Sequence, residues 1–415
     1  MTNLFKYLTN RKFIYQTTDS TNIEKLLDNK KISLYAGFDL TGKSLHVGSL
    51  IQIMLLRIFQ QHGHRPIILL GGATTKIGDP SGKDQTRKVL TPEVIAENKQ
   101  AIAKVFHKFL DFSAGPTEPL ILDNDDWLKD FNYLDFLREI GSKFSVNQML
   151  RYESVKQRLE REQNLSFLEF NYMILQAYDF TQLRKNHNCY LQIGGSDQWG
   201  NIVNGVELNR KVNPDLGEVY GLTTPLLTTS DGKKMGKTEQ GAVWLDTELF
   251  SAYDYYQFFR NITDDKVVAF LNYFTELAEA QIADLAKLEG QEINKAKEIL
   301  AFEATKICHG EQAAQKAQQT ASQVFKESAI GDDLPVLELS QAELESGIAF
   351  SALIANTGIV ASRGEAKRII LGGGGKLGEQ QIKDPLYLVT VKDFAGATQL
   401  KVSAGKKRHA LLKVA

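Results

Sequence analysis

Along the first third of the chain, apolar residues gather in short runs that end in glycine. Ile32-Ser33-Leu34-Tyr35-Ala36-Gly37-Phe38 has the length and continuity of a buried strand leading into a turn. Ser49 to Phe59 is apolar-rich over a helical length, and Gly63 supplies its stop. Pro66-Ile67-Ile68-Leu69-Leu70-Gly71-Gly72 predicts a second strand, and Tyr190-Leu191-Gln192-Ile193-Gly194-Gly195 a later one. Strand–turn–helix–strand units of this kind place the region in the α/β class, as a doubly wound parallel sheet wrapped by helices. Ligands of open parallel sheets sit beyond the carboxyl ends of the strands. The glycine-bearing turns expected at Gly37, Gly71-Gly72 and Gly194-Gly195 all fall there.

The texture changes after about Ser251. Val267, Val268, Leu271, Phe274 and Leu277 recur at helical spacing, and helix-compatible sequence continues to about Ser328 with breaks near Gly290 and Gly310. Gly331-Asp332-Asp333-Leu334-Pro335 reads as a linker. Ile348 to Ala415 mixes short helices with strand-like segments such as Tyr387-Leu388-Val389-Thr390-Val391. No internal repeat is visible, and Gly372 to Gly375 is the one low-complexity tract. The expected division is 1–228, a connecting loop over 229–250, a helical domain over 251–330, a linker over 331–347 and a small α+β domain over 348–415.

Composition adds limits. At 415 residues the chain suits two or three domains, and 43% apolar with 24% charged residues is ordinary for a soluble protein. No apolar run approaches the roughly 20 residues that span a bilayer, and Met1 to Lys6 lacks the apolar core of a leader. Only Cys189 and Cys308 occur, which argues against a disulfide framework or a cysteine-rich zinc site. A cytoplasmic location is the default expectation. From Val360 onward, 11 Lys or Arg stand against 4 Asp or Glu, so a net charge of −1 conceals a basic end on a slightly acidic body. A nucleic-acid contact and a solubilising tail both fit that asymmetry.

The candidate chemistry lies in separated segments. Leu45-His46-Val47-Gly48-Ser49 opens the first helix, and a helix amino terminus favours negative charge through its free N–H groups and dipole. His46 and Ser49 would share one face, Gly48 would leave room for a nucleotide, and Thr41 could present its hydroxyl alongside. Much later, Lys233-Lys234-Met235-Gly236-Lys237-Thr238 places cations on a glycine-containing loop. Such runs are mostly solvated faces, but this one also suits a lid over leaving phosphates. Lys83 and Arg87, after Gly78-Asp79-Pro80-Ser81-Gly82, form a further cationic loop. Asp197, after Gly194-Gly195, can accept ribose hydroxyls or cap the next helix. Tyr172, Gln176 and Asp179 make a polar stripe on an apolar helix. Phe167, Leu168, Phe170, Met173, Ile174 and Leu175 leave it little ordinary surface, so it needs partners.

In chain order, Tyr35 to Asp39, the HVGS segment, Gly78 to Lys83, Tyr172 to Asp179, Gln192 to Asn201 and the lysine loop resemble class I aminoacyl-tRNA synthetases, specifically the bacterial tyrosyl-tRNA synthetases. The resemblance spans nearly the whole chain. It implies a Rossmann-like catalytic domain, a helical anticodon-recognition domain and an S4-like RNA-binding domain. It also implies an enzyme that activates L-tyrosine with ATP and Mg2+, without a dedicated protein metal site, and then charges tRNA(Tyr). Tyr35 and Asp179 resemble the pair that binds the substrate phenol; Tyr172, Gln176 and Asp79 resemble the holders of its ammonium, and Gln198 a group near its carboxylate. Gly37, Asp39, His46, Gly48, Ser49, Gly194 and Asp197 match nucleotide-binding positions. Thr41, His46, Lys83, Arg87, Lys234 and Lys237 match the groups that stabilise the leaving pyrophosphate. Arg363, Lys367, Arg368, Lys406, Lys407 and Arg408 are the expected RNA contacts. A homodimer is implied, with Phe131 to Leu150 as its candidate interface. The chain departs from the family pattern at Ser49 (usually a second histidine), Ala36 (usually cysteine), Gly236 in the lid and the Gly372 to Gly375 run.

Overall fold

The apolar runs form strands that lie side by side in one sheet. In a computed structural model, β1 (Gln16–Thr17), β2 (Ser33–Asp39), β3 (Arg65–Gly71), β4 (Leu120–Asp123), β5 (Cys189–Gly195) and β6 (Tyr220–Thr224) take the order β1-β6-β5-β2-β3-β4. All neighbours are parallel except β1, which runs antiparallel to β6. The chain builds outward from β2 to β4, then returns to β5 and β6 on the other side. Strand order therefore reverses between β2 and β5, and a crevice opens there at the carboxyl ends. Gly37 lies inside β2, two residues before its end, and not in the turn the sequence suggested. β4 and β6 went unanticipated because each is short, four and five residues, and β6 sets little apolar signal among glycine and threonine.

The described residues are 3–81, 90–228, 235, 237–238, 241–325, 334–378, 380–394, 396–405 and 408–414, with backbone alone at 153, 154, 157, 237, 238, 324 and 325. They divide into two compact units, Met1–Gly310 and Glu311–Ala415. Among them, no helix is long and apolar enough to cross a membrane.

Two helices position the site. Val47–Gln61 begins where the His46 side chain accepts a hydrogen bond from the Gly48 N–H at 3.0 Å, and Gly63 follows it at φ +85°. It is buried on almost every side because the sheet covers one face and the Val267–Phe274 helix another. Phe167–His187 opens on a capping box: Ser166 Oγ accepts from the Glu169 N–H, and Glu169 accepts from the Ser166 N–H, both at 3.1 Å. It ends at Asn188 in the left-handed conformation, and β5 starts immediately afterwards. Phe167 and Leu168 remain exposed, contrary to expectation, because the first turn points Glu169 inward to meet the buried Arg158 and leaves its neighbours on the outer face.

The helices Ala252–Arg260, Val267–Phe274, Glu279–Leu285 and Ile293–His309 complete the first unit. Gly290 and Gly310 mark breaks with positive φ, as the sequence suggested, whereas Leu277 lies beyond its helix. Arg11 ties this region to the amino-terminal helix. Its buried guanidinium donates to the carbonyls of Leu271, Asn272, Thr275 and Leu277 at 2.6–3.3 Å. The charge is thus met by the negative end of a helix dipole and not by a carboxylate.

In the second unit the strands Gln380–Gln381, Gly375–Leu377, Gln399–Ala404, His409–Val414 and Val336–Leu339 form a sheet in that order. Phe350–Asn356 and Arg363–Leu371 cover it, burying Leu353, Ile354, Ala366 and Ile370 with Val402 and Leu412. Val336–Leu339 pairs parallel with His409–Val414, so the stretch read as a linker contributes to this sheet before Ile348. Residues 331–333 of that stretch lie outside the described set. The strand-like 387–391 segment is a strand only at Leu388–Val389. The glycine run is a tight exit from a helix: a Cβ on Gly375 would stand 2.9 Å from Ile370 and 3.0 Å from Phe350.

Arg11→Met should lower unfolding free energy by about 3 kcal/mol, the cost of leaving a cluster of buried carbonyls without their charged donor. Urea denaturation read by tyrosine and tryptophan fluorescence checks this, and a midpoint like that of the parent would show the carbonyls find other donors.

Candidate active site

The carboxyl ends of β2, β3, β4 and β5 bring a ring of polar side chains into the crevice. At the end of β2, Asp39 accepts from the Tyr172 hydroxyl at 3.1 Å and from Thr74 Oγ1 at 3.3 Å. At the end of β4, Asp123 accepts from the Gly72 N–H at 3.0 Å and pairs with Lys99 at 2.6 Å. Gly72 must lack a side chain here, since a Cβ would stand 2.3 Å from the Asp123 carboxylate.

Deep in the crevice, β2 and the Phe167–His187 helix set Tyr35 and Asp179 in one buried pocket. Tyr35 is fully buried against Phe180, with ring centroids 5.2 Å apart, and its hydroxyl has no hydrogen-bond partner. Burial, then the nearby Asp179 carboxyl, raise its pKa well above the ordinary phenol value. Asp179 accepts from Trp127 Nε1 at 2.8 Å and from Asn124 Nδ2 at 3.0 Å. Burial pushes its pKa up to about 7, and the two N–H donors pull against that rise. Gln192 stands opposite Tyr35 in the β2–β5 register, and its side-chain oxygen is likewise buried without a partner. An unsatisfied hydroxyl beside a buried carboxylate suits a ligand that brings its own hydroxyl.

Nearer the mouth, Asp79 accepts from Gln198 Nε2 at 2.7 Å and from the Ser81 N–H at 2.9 Å. Asn201 Nδ2 bridges Gln176 and Gln198, 3.0 Å from each side-chain oxygen. Burial and the neighbouring Asp39 raise the Asp79 pKa. Two carboxylates, Asp39 and Asp79, with the Tyr172 phenol and two amide side chains make a cation-seeking end to the same crevice.

Of the positions expected to bind nucleotide, Gly37 is exposed, and a Cβ there would meet nothing within 4 Å, so the crevice is open over the middle of β2. Asp197 lies on the turn Ser196–Gln198 after β5, where a Cβ on Gly195 would come within 2.6 Å of its carboxylate; Gly194 lies against Gln198. Thr41 is exposed and Ser49 half-buried. Against expectation, the space above Gly48 is filled in this conformation: a Cβ would stand 2.6 Å from the His46 ring and 2.9 Å from the Met235 carbonyl. Met235, within the lysine segment, thus lies directly over the helix start. The strand Lys237–Thr238 pairs with Gly241–Ala242, and His46 then bridges to Trp244. Lys83, Arg87 and Lys234, with the side chain of Lys237, fall outside the described residues.

In the second unit Arg363, Lys367 and Arg368 are exposed on one helix, as the i and i+4 spacing predicts. The part-exposed guanidinium of Arg408 pairs with Glu365 of that helix at 2.7 Å. Lys406 and Lys407 lie outside the described residues. Sequence reasoning missed Asn124, Trp127, Asn201 and Gln192 as pocket groups. Asn124 and Trp127 had one available signal, a short apolar run (Leu120 to Leu122) ending in polar residues at a strand's carboxyl end.

A family profile described as tRNA synthetases class I (W and Y) matches residues 27–326. The chain belongs to that class I synthetase family. It is 49% identical over 405 residues to the tyrosine–tRNA ligase of Rickettsia felis, with 98% of each chain covered. It is 51% identical over 403 residues to that of Caulobacter vibrioides, covering 97% of this chain and 96% of the relative. Within the family it falls among the tyrosine–tRNA ligases. A solved structure, the C-terminally truncated mitochondrial tyrosyl-tRNA synthetase of Aspergillus nidulans, is similar with a TM-score of 0.70 at 30% identity, covering 78% of this chain and 95% of that one.

Because the Asp179 pKa is raised, its contribution to stability is complete below the unfolded carboxyl pKa and is lost as pH rises through about 7. Trp127→Phe removes one donor to the ionised form and should raise the Asp179 midpoint by about one unit. The carboxyl carbon resonance of Asp179 followed across pH 4–9 reads both values; an unchanged or lowered midpoint would show that the indole does not hold the carboxylate.

Proposed function

We infer that this chain ligates L-tyrosine to tRNA(Tyr) in two steps. The tyrosine carboxylate attacks the α-phosphorus of ATP, the bond to the bridging oxygen breaks, and pyrophosphate leaves. A hydroxyl of the tRNA's terminal adenosine then attacks the tyrosyl carbonyl and AMP departs. The protein supplies no nucleophile, so its work is positioning and charge.

One observation carries the reading: the unpartnered Tyr35 hydroxyl beside Asp179, whose carboxylate is held by Asn124 and Trp127. A tyrosine phenol donates to that carboxylate and accepts from Tyr35. Phenylalanine leaves both buried groups unsatisfied, an effect for which tyrosyl-tRNA synthetases are themselves the standard illustration. Asp79, Tyr172 and Gln176 take the α-ammonium, and Gln198 stands near the carboxylate. Gly37, Asp39, Gly48, Ser49, Gly194 and Asp197 take the nucleotide, whose phosphates meet Thr41, His46, Lys83, Arg87, Lys234 and Lys237. Mg2+ enters with ATP, whose phosphate oxygens are its main ligands.

Residues 251–330 read the anticodon region, and the S4-like residues 348–415 bind tRNA backbone through Arg363, Lys367, Arg368, Lys406, Lys407 and Arg408. Neighbouring Tyr133, Leu134, Val146 and Leu150, all exposed, support a homodimer through the 131–150 segment. The enzyme acts in the cytoplasm.

Tyrosine-dependent exchange of labelled pyrophosphate into ATP tests the reading directly. Exchange with tryptophan alone, or with no amino acid, would overturn it. Asp179→Ala should raise the tyrosine KM in that exchange by about tenfold or more and leave the ATP KM within about twofold; equal rises in both would remove Asp179 from the phenol pocket. A chain ending at Phe325 should retain exchange and lose most tRNA charging, and full charging by that truncation would refute the RNA-binding role of the second unit.

A further inference from the structure

The lysine loop and the His46 helix are joined by backbone. After the Lys237–Thr238 and Gly241–Ala242 pairing, the chain runs alongside Leu45 to Val47. The Val47 N–H donates to the Val243 carbonyl and the Leu245 N–H to the Leu45 carbonyl, each at 2.9 Å, with the His46–Trp244 bridge between them. This three-residue pairing sets the downstream anchor of the loop and fixes the backbone of His46 in the same step. Isolated pairings of this length are weak, because two hydrogen bonds offset the ordering of several residues only partly.

A third element holds the anchor. The Lys108 ammonium, just past the Pro92–Phe106 helix, donates to the Leu245 carbonyl at 2.6 Å. The buried Cys308 thiol reaches the same oxygen at 3.7 Å. Leu245 is thereby fixed from both sides: its N–H lies on Leu45 and its carbonyl on a cation from another helix. His309, also facing Lys108 and Asp246, does not compete as a cation. Its pKa is lowered to about 4, by burial first and by Lys108 second. A charge-assisted bond to a carbonyl is stronger than a neutral one, and Lys108 provides it where the loop's anchor would otherwise rest on two backbone bonds.

We propose that Lys108 is a positioning residue for amino-acid activation, pinning the Leu245 carbonyl so that the Val243–Leu245 segment holds His46 in register at the start of the Val47–Gln61 helix. This rests on the reading of His46 as a phosphate contact. Lys108 touches neither substrate in this scheme; it acts through Leu245.

The test uses the full-length protein with Lys108→Met and Lys108→Arg. In Lys108→Met, amide hydrogen exchange at Val47 and Leu245 should quicken about tenfold, as loss of one charge-assisted bond requires, while Ala36 and Ile193 in β2 and β5 stay unchanged. The turnover of tyrosine-dependent pyrophosphate exchange should fall about 10- to 100-fold, the scale of a small misplacement of catalytic groups. Tyrosine affinity by equilibrium dialysis should not change, and Lys108→Arg should restore both exchange protection and turnover. Unchanged protection at Val47 and Leu245 overturns the proposal, and so does a tyrosine affinity that falls with turnover. If the parent protein fails to exchange pyrophosphate with tyrosine, the functional reading fails, whereas the amide protection data still decide whether Lys108 holds the anchor.

Discussion

A carboxylate buried as deeply as Asp179 is tolerable only if donors surround it, and the pocket is arranged around that requirement. The Phe167–His187 helix delivers Asp179 to the crevice, while the turn after β4 delivers Asn124 and Trp127 to its two oxygens. Tyr35 arrives from β2 on the opposite wall and finds no partner of its own. A site that leaves its own hydroxyl unsatisfied has paid for selectivity in stability. Three elements distant in sequence must therefore meet to within a hydrogen-bond length before the pocket has any preference at all.

The sheet makes that meeting possible. Because strand order reverses between β2 and β5, helices lie on both faces and leave the crevice between those strands uncovered. Glycines at the strand ends allow side chains such as Asp123 to approach the backbone closely. At one end the crevice gathers carboxylates, and at the other lies the positive, amino-terminal end of the Val47–Gln61 helix dipole. That polarity matches a zwitterionic amino acid lying beside a polyanion.

Placing Met235 over Gly48 shows how a loop remote in sequence reaches the first helix. Among the described residues, paired backbone around His46 and Trp244 makes the contact. A loop fastened at its base by backbone can move its tip while keeping its register, which suits a lid that closes on one ligand and releases another. Arg11 likewise joins the amino-terminal helix Leu4–Asn10 to the Val267–Phe274 helix and the turn after it by carbonyl contacts.

Local pattern was enough to reveal β2, β3 and β5, the helix after His46 and the polar stripe of Tyr172, Gln176 and Asp179, because burial on both sheet faces and helical periodicity are written in neighbouring residues. Resemblance to a known family added the order of the motifs and their roles. The partners of those residues were not legible. Asn124 and Trp127 sit more than 50 positions from Asp179, and the short apolar run before them marks a strand end without naming the carboxylate they meet. The pairing of Arg408 with Glu365 was not legible either, since it depends on the return of the last strand. Sequence alone determined which elements form and which faces are apolar; tertiary structure decided which polar groups satisfy one another, since hydrogen bonding depends on distances that only the folded chain creates.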